Sequence, residues 1–218
     1  MTGNMKQSSS TAAWVANSLT ASRILFSVLF LLFFCDNDFW PFLDEKGRFL
    51  TAAMACFFFM IALLTDMVDG KVARMYHVTS VFGQLMDPIA DKVLVSAGLI
   101  AFVSHPDTPF VRAWAVVAII GREFLVTGLR LLAAAHGRVL SAERLGKHKT
   151  GWQMGYITVV LGLVLMKRGS VLLPNPLLVS AWNLLEAMAG MGMWVVLGVT
   201  WFSGIRYLSK NWELIREL

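Results

Sequence analysis

Four carboxylates stand where the surrounding sequence is built for lipid: Asp66, Asp69, Asp87 and Asp91, within TDMVDGKVARMYHVTSVFGQLMDPIAD. The residues before them, 57–64, and after them, 93–103, are almost wholly apolar. An acidic side chain at the centre of a membrane helix costs roughly 2.5–3.5 kcal/mol, so four together need a shared compensation. If both flanks are helical, Asp66 and Asp69 lie one turn apart on one face, and Asp87 and Asp91 stack at i and i+4. Two helices that present paired carboxylates make an oxygen-rich pocket, which suits a hard cation such as Mg²⁺ or Mn²⁺ and offers nothing to a soft one. Gly70 and Ala73 carry little bulk, so a backbone or a phosphate can come close. Arg74 then offers a planar fork to phosphate oxygens. Together these residues read as a metal-pyrophosphate site. Helix caps or solvated helix ends would explain one such aspartate, not four in register.

The elements that must position them are membrane helices. The 218 residues are 57% hydrophobic and only 15% charged, with a mean hydropathy of +0.64, outside the soluble globular range. That length holds about six spans of ~20 residues with short loops. The expected fold is all-α and polytopic, one membrane-embedded domain over 1–218 with spans at 24–35, 49–69, 82–104, 110–135, 151–166 and 182–205. Residues 36–48, 76–80, 105–109, 136–150 and 167–180 read as connections, the last with a short interfacial piece. Residues 1–11 are polar and Ser-rich, too polar for a cleaved signal, and Trp14 to Arg23 suit an amphipathic helix lying at the interface. Cys35 and Cys56 stand alone in apolar segments and read as packing residues.

The net charge of +5 has a membrane explanation. In a six-span arrangement eleven Lys and Arg, among them Lys71, Arg74, Arg144 and Lys147, fall on one side, against five on the other, Lys46, Arg48, Arg112, Lys167 and Arg168. The positive-inside rule puts both termini and the acidic hairpin on the cytoplasmic side of the cell's inner membrane. Nucleic acid is not required as a partner. Within the fourth span, GREFLVTGLR carries Arg122, Glu123 and Arg130, and charges inside an apolar helix are functional by default. A tether from Arg122 and Glu123 to neighbouring helices is the alternative.

The pattern Asp66-x-x-Asp69-Gly70-x-x-Ala73-Arg74, then eight residues, then Gly83-x-x-x-Asp87-x-x-x-Asp91 resembles the signature of the CDP-alcohol phosphatidyltransferases, with every fixed position filled. The resemblance implies CDP-diacylglycerol as donor and two Mg²⁺ or Mn²⁺ ions, with Asp66 and Asp87 bridging them, Asp69 on the first and Asp91 on the second. Asp91 is then also the general base, while Gly70, Ala73, Arg74 and Gly83 face the donor. Asn17-x-Leu19-Thr20-x-x-Arg23 resembles the entry segment of one branch, which would put Asn17, Thr20 and Arg23 near the nucleotide. GREFLVTGLR followed by LGKHKT resembles the same branch, whose acceptor is glycerol 3-phosphate. A doubly charged phosphate needs several fixed cations, and Arg122, Arg130, Lys147 and Lys149 can supply them. An inositol phosphate acceptor would need them too, so it stays open. A cation or proton-coupled transporter also carries intramembrane acids, but expects them near mid-membrane. The acidic patterns of prenyltransferases are missing. The small residues of GMGMWVVLG in the sixth span would let two copies pack closely, so a homodimer is expected alongside the bilayer as partner.

Overall fold

The computed structural model describes residues 18, 21–76, 81–136, 144–173, 176–212 and 216, with the side chains of 67–76, 81–91, 144–148 and 177–180 outside the description. All regular structure among them is helical. We number the helices α1 (Ala21–Phe34), α2 (Asp36–Phe39), α3 (Glu45–Tyr76), α4 (Val81–Ser104), α5 (Ala113–Ala135), α6 (Arg144–Leu172) and α7 (Pro176–Lys210). The chain forms two compact units, Met1–Ala101 and Phe102–Leu218.

In the first unit α1 and α3 run antiparallel, zipped by aromatic side chains. Phe30 meets Phe59 with ring centroids 5.6 Å apart, and Phe33 meets Phe58 at 5.4 Å. Ala52, Ala55 and Ala62 are buried on the same helix as Phe59. Their spacing follows the helical period, and their small size lets α1 approach closely. Polar pairs close both ends of the zip. At one end Thr51 Oγ1 donates to the buried Asp36 carboxylate at 3.0 Å, and Arg48 donates to Asn37. At the other, Arg23 meets Asp66. Asp44 starts α3 by accepting the Gly47 N–H at 2.9 Å, which satisfies one of the orphan donors of the first turn.

In the second unit α7 packs on both α5 and α6. Trp114 and Trp194 meet between α5 and α7 at 5.4 Å. Gly192 brings α7 against the Tyr156 ring of α6, since a Cβ there would lie 3.2 Å from two ring carbons. Pro106 and Pro109 separate α4 from α5, and Pro176 opens α7, where a missing N–H costs nothing.

Among the described residues three stretches are long and apolar enough to cross a bilayer: Glu45–Asp66, Lys149–Leu172 and Ala181–Lys210. Ala21–Phe34 and Lys92–Ser104 are shorter apolar helices. α5 is 23 residues long, but Arg122, Glu123 and Arg130 interrupt its apolar run. Phe57, Phe124, Met188, Trp194 and Phe202 are each more than half exposed, the outward apolar face that lipid solvates and water would not.

Three expected connections differ from the structure. Residues 36–48 contain α2 and the start of α3, 136–150 is helical from Arg144, and 167–180 is helical to Leu172 and again from Pro176. Lys167 and Arg168 therefore sit on the last turns of α6, where they find anionic partners. Arg168 Nε donates to Asp107 Oδ2 at 3.0 Å, and its Nη2 lies 2.9 Å from His105 Nε2. Lys167 bridges Asp107 at 3.3 Å and Glu186 at 3.6 Å, its ammonium 5.2 Å from the Trp182 ring centroid. These contacts fasten the α4–α5 loop to α6 and α7.

Burial pushes the Asp107 carboxyl up, but the hydrogen bond and charge of Arg168, with His105 and Lys167 beside it, outweigh burial and hold the group below the ordinary carboxylate value. A carboxyl whose pKa is lowered by folding contributes stability that is complete above its unfolded value and fades as pH falls through the folded one. Arg168→Met should therefore lower unfolding stability in detergent by roughly 3 kcal/mol near neutral pH. The gap from wild type should narrow below about pH 4, as Asp107 protonates. A gap that stays constant across that range would show that Asp107 is not the partner that matters.

Candidate active site

α3 and α4 are helical through both aspartate pairs. The backbone thus meets the condition on which the carboxylate reading rests: Asp66 and Asp69 are one turn apart on α3, and Asp87 and Asp91 are i and i+4 on α4. α3 runs past Asp69, where the expected span ends, to Tyr76, so Gly70, Ala73 and Arg74 follow on the same helix. The side chains of Asp69, Ala73, Arg74, Asp87 and Asp91, with Gly70 and Gly83, lie outside the described residues, as do Asn17, Thr20 and the Lys147 side chain.

Asp66 is described, and its neighbour was expected near the nucleotide. Arg23 Nη1 lies 3.0 Å from Asp66 Oδ1, with the Arg23 side chain only 3% exposed and that of Asp66 30% exposed. The α1–α3 zip delivers this pair, because the antiparallel register that sets Phe30 against Phe59 carries Arg23 to the height of Asp66. Ser27 Oγ donates to the Arg23 carbonyl at 2.8 Å, which gives that hydroxyl a partner within its own helix. Asp66 suits a hard cation, being a partly exposed carboxylate with one oxygen oriented by an arginine and Asp69 one turn further along the helix. Among the described residues no group of three or more metal-ligating side chains gathers.

The expected acceptor cations divide. Arg122 and Lys149 come together on one oxygen of the buried Glu123: Arg122 Nη1 is 3.2 Å from Oε1, and Lys149 Nζ also donates to Oε1. All three are at least nine-tenths buried. Arg130 is exposed on α5, eight residues or about 12 Å further along the axis. The polar contacts run on into α7, where Arg122 Nη2 donates to Ser203 Oγ at 2.8 Å and Ser203 Oγ to the Thr200 carbonyl at 3.2 Å. Thr200 Oγ1 in turn accepts from Gln153 Nε2 at 3.2 Å. Gln153 is one turn from Lys149 on α6, so the network returns to the helix it left.

Sequence reasoning read the charges of this helix as functional, with a tether through Arg122 and Glu123 as the alternative, and missed Gln153, Thr200, Ser203 and Gly204. The available signal was a set of small and polar residues inside apolar helices, which mark contact faces between membrane helices.

Comparison with known proteins adds an independent line. Residues 13–202 match the CDP-alcohol phosphatidyltransferase family. The chain is 37% identical over 202 residues to the CDP-diacylglycerol–glycerol-3-phosphate 3-phosphatidyltransferase of Bacillus subtilis (strain 168), covering 92% of this chain and 96% of that one. Against the enzyme so named from Rickettsia typhi (strain ATCC VR-144 / Wilmington) the identity is 30% over 194 residues, covering 88% and 94%. A cardiolipin synthase (CMP-forming) of Oryza sativa subsp. japonica is 30% identical over 208 residues, covering 90% of this chain and 57% of the relative.

The Arg23–Asp66 pair can be tested without an activity assay. In a double-mutant cycle on detergent unfolding, Arg23→Met and Asp66→Asn should each destabilise, and their combination should recover part of the loss, with a coupling of roughly 1–3 kcal/mol. Additive losses would mean that the two side chains do not act as a pair.

Proposed function

We propose, from the premise that this chain belongs to the CDP-alcohol phosphatidyltransferase family, that it transfers the phosphatidyl group of CDP-diacylglycerol to glycerol 3-phosphate, giving phosphatidylglycerophosphate and CMP. The observation that carries this reading is the likeness, along nearly the whole chain, to relatives named for that reaction.

In this reading the acceptor hydroxyl attacks the lipid-bearing phosphorus, its proton passes to Asp91, and CMP leaves with the bond to that phosphorus. Asp66, Asp69, Asp87 and Asp91 would hold Mg²⁺ or Mn²⁺, two ions in all. Bound there, the metal would supply charge neutralisation at the pyrophosphate, the largest stabilisation open to such chemistry. Arg23 orients the Asp66 carboxylate and places a cation beside it. Gly70, Ala73 and Gly83 leave room for the donor, Arg74 binds its phosphates, and Asn17 and Thr20 lie by the nucleotide. Arg122, Arg130, Lys147 and Lys149 serve the acceptor's phosphate, and two of them already converge on a single anionic oxygen. The helices make six spans with an interfacial helix before the first. Both termini and the acidic residues face the cytoplasmic side of the inner membrane, where CMP is released, and two copies form a homodimer.

A second reading has one observation behind it: the likeness to a CMP-forming cardiolipin synthase, which would put a lipid alcohol in the acceptor's place. The deciding assay gives purified protein CDP-diacylglycerol with glycerol 3-phosphate, inositol phosphate or phosphatidylglycerol, and follows CMP release. Glycerol 3-phosphate should support turnover at least tenfold faster than either other acceptor, and a preference for phosphatidylglycerol would select the second reading. Arg130→Gln or Lys147→Gln should raise KM for glycerol 3-phosphate roughly ten- to a hundredfold and that for CDP-diacylglycerol much less, because a charge-assisted bond contributes about 1.5–3 kcal/mol. Arg74→Gln should do the reverse. The same pattern in both sets of variants would refute the division between donor and acceptor cations.

A further inference from the structure

The ring of buried polar groups in the second unit has a feature that helix tethering alone does not need. The Arg122 guanidinium is gripped on three sides. Nη1 faces Glu123, Nη2 donates to Ser203 Oγ at 2.8 Å, and Nε lies against the backbone of Gly204, where a Cβ would come within 2.6 Å of Nε and 3.2 Å of Cγ. Nε, buried, finds no hydrogen-bond acceptor among the described residues. An unmet N–H of a guanidinium is costly to bury, so this seat fixes the position of Arg122 at the expense of one of its bonds. What the fixed position serves is visible on the far side of Glu123, where the same carboxylate oxygen that takes Arg122 also takes Lys149.

We propose that Ser203 and Gly204 of α7 are positioning residues for acceptor recognition: they seat Arg122, which orients Glu123, which holds the Lys149 ammonium at one place for the acceptor's phosphate. This rests on the reading of Lys149 as an acceptor cation given above. A lysine is a flexible point charge on a long stem, and one left to wander serves a phosphate poorly, since held geometry is what makes binding selective. Glu123 also lies between the two buried cations and offsets their repulsion. Ser203 receives the bond and Gly204 provides the space. Either change therefore acts on Lys149 without touching it.

The two positions can be perturbed mildly. Gly204→Ala introduces one methyl group that meets the Arg122 side chain at Nε and Cγ and no backbone, so the guanidinium must shift from its seat. Ser203→Ala removes the hydroxyl, and Ser203→Thr keeps it. Initial rates of CMP release are measured for purified wild type and the three variants in detergent, varying glycerol 3-phosphate and CDP-diacylglycerol separately, with thermal unfolding recorded alongside. Gly204→Ala should raise KM for glycerol 3-phosphate about tenfold and Ser203→Ala about fivefold, while KM for CDP-diacylglycerol changes less than about twofold. Ser203→Thr should restore most of the loss. Equal rises in both KM values, or a loss that follows thermal stability and is not restored by threonine, would reduce the seat to a structural tether and overturn the proposal. An unchanged KM for glycerol 3-phosphate in Gly204→Ala would overturn it as well. Should wild type use another phosphate-bearing acceptor, the named substrate fails and the same split is expected with that acceptor. Should it use only an acceptor without phosphate, both readings fall.

Discussion

A charged side chain among apolar helices must find an opposite charge or a bond within its own reach, because the surroundings supply none. That constraint organises this molecule. Arg23 and Asp66 answer it in the first unit at 3.0 Å, and Glu123 answers it in the second by taking both Arg122 and Lys149. Each answer requires particular helices to pack in one register. The aromatic zip of α1 on α3 is the apolar means of bringing Arg23 level with Asp66, and α7 brings Ser203 and Gly204 up to Arg122. An exposed ion pair contributes little in water. Here the alternative to pairing is a lone charge in an apolar bundle, so the same contact constrains the fold far more.

The chemistry was more legible in the sequence than the packing. The carboxylate spacing could be read directly, since helical period alone decides which residues share a face, and α3 and α4 are helical through all four positions. Element type was legible for the same reason: long apolar runs bounded by prolines leave little choice. Residues 36–48 and 144–150 were misread because polarity was taken as a sign of loop, and 167–180 because Pro174 and Pro176 were. Asp36, Lys167 and Arg168 are polar residues on helices, satisfied by partners 15 to 63 positions away, and no local pattern reveals a partner at that distance. The expectation for Arg122 and Lys149 likewise lacked their shared counterion. Glu123 was in view, yet which cation it would take depended on how α5, α6 and α7 meet.

The residues proposed for donor and for acceptor also differ in physical character. The acidic pairs sit on backbone that fixes their spacing almost by itself, so their arrangement depends on continuous helix. The cations proposed for the acceptor depend on contacts between helices, with Arg122 on α5, Lys149 on α6 and the Ser203 that binds Arg122 on α7. A change at a helix-helix contact can move the cations and leave the carboxylate spacing alone.

The central claim is that the four aspartates hold the metal on which phosphatidyl transfer depends. Its most direct test is CMP release from CDP-diacylglycerol and glycerol 3-phosphate by wild type, Asp66→Asn and Asp87→Asn, across a titration of Mn²⁺ from a chelated start. The account predicts that wild type is silent in chelator and recovers as metal is added, and that neither variant turns over at any metal concentration although both remain folded in the membrane. Turnover by wild type in the presence of chelator, or near-normal rates in either variant, would contradict it.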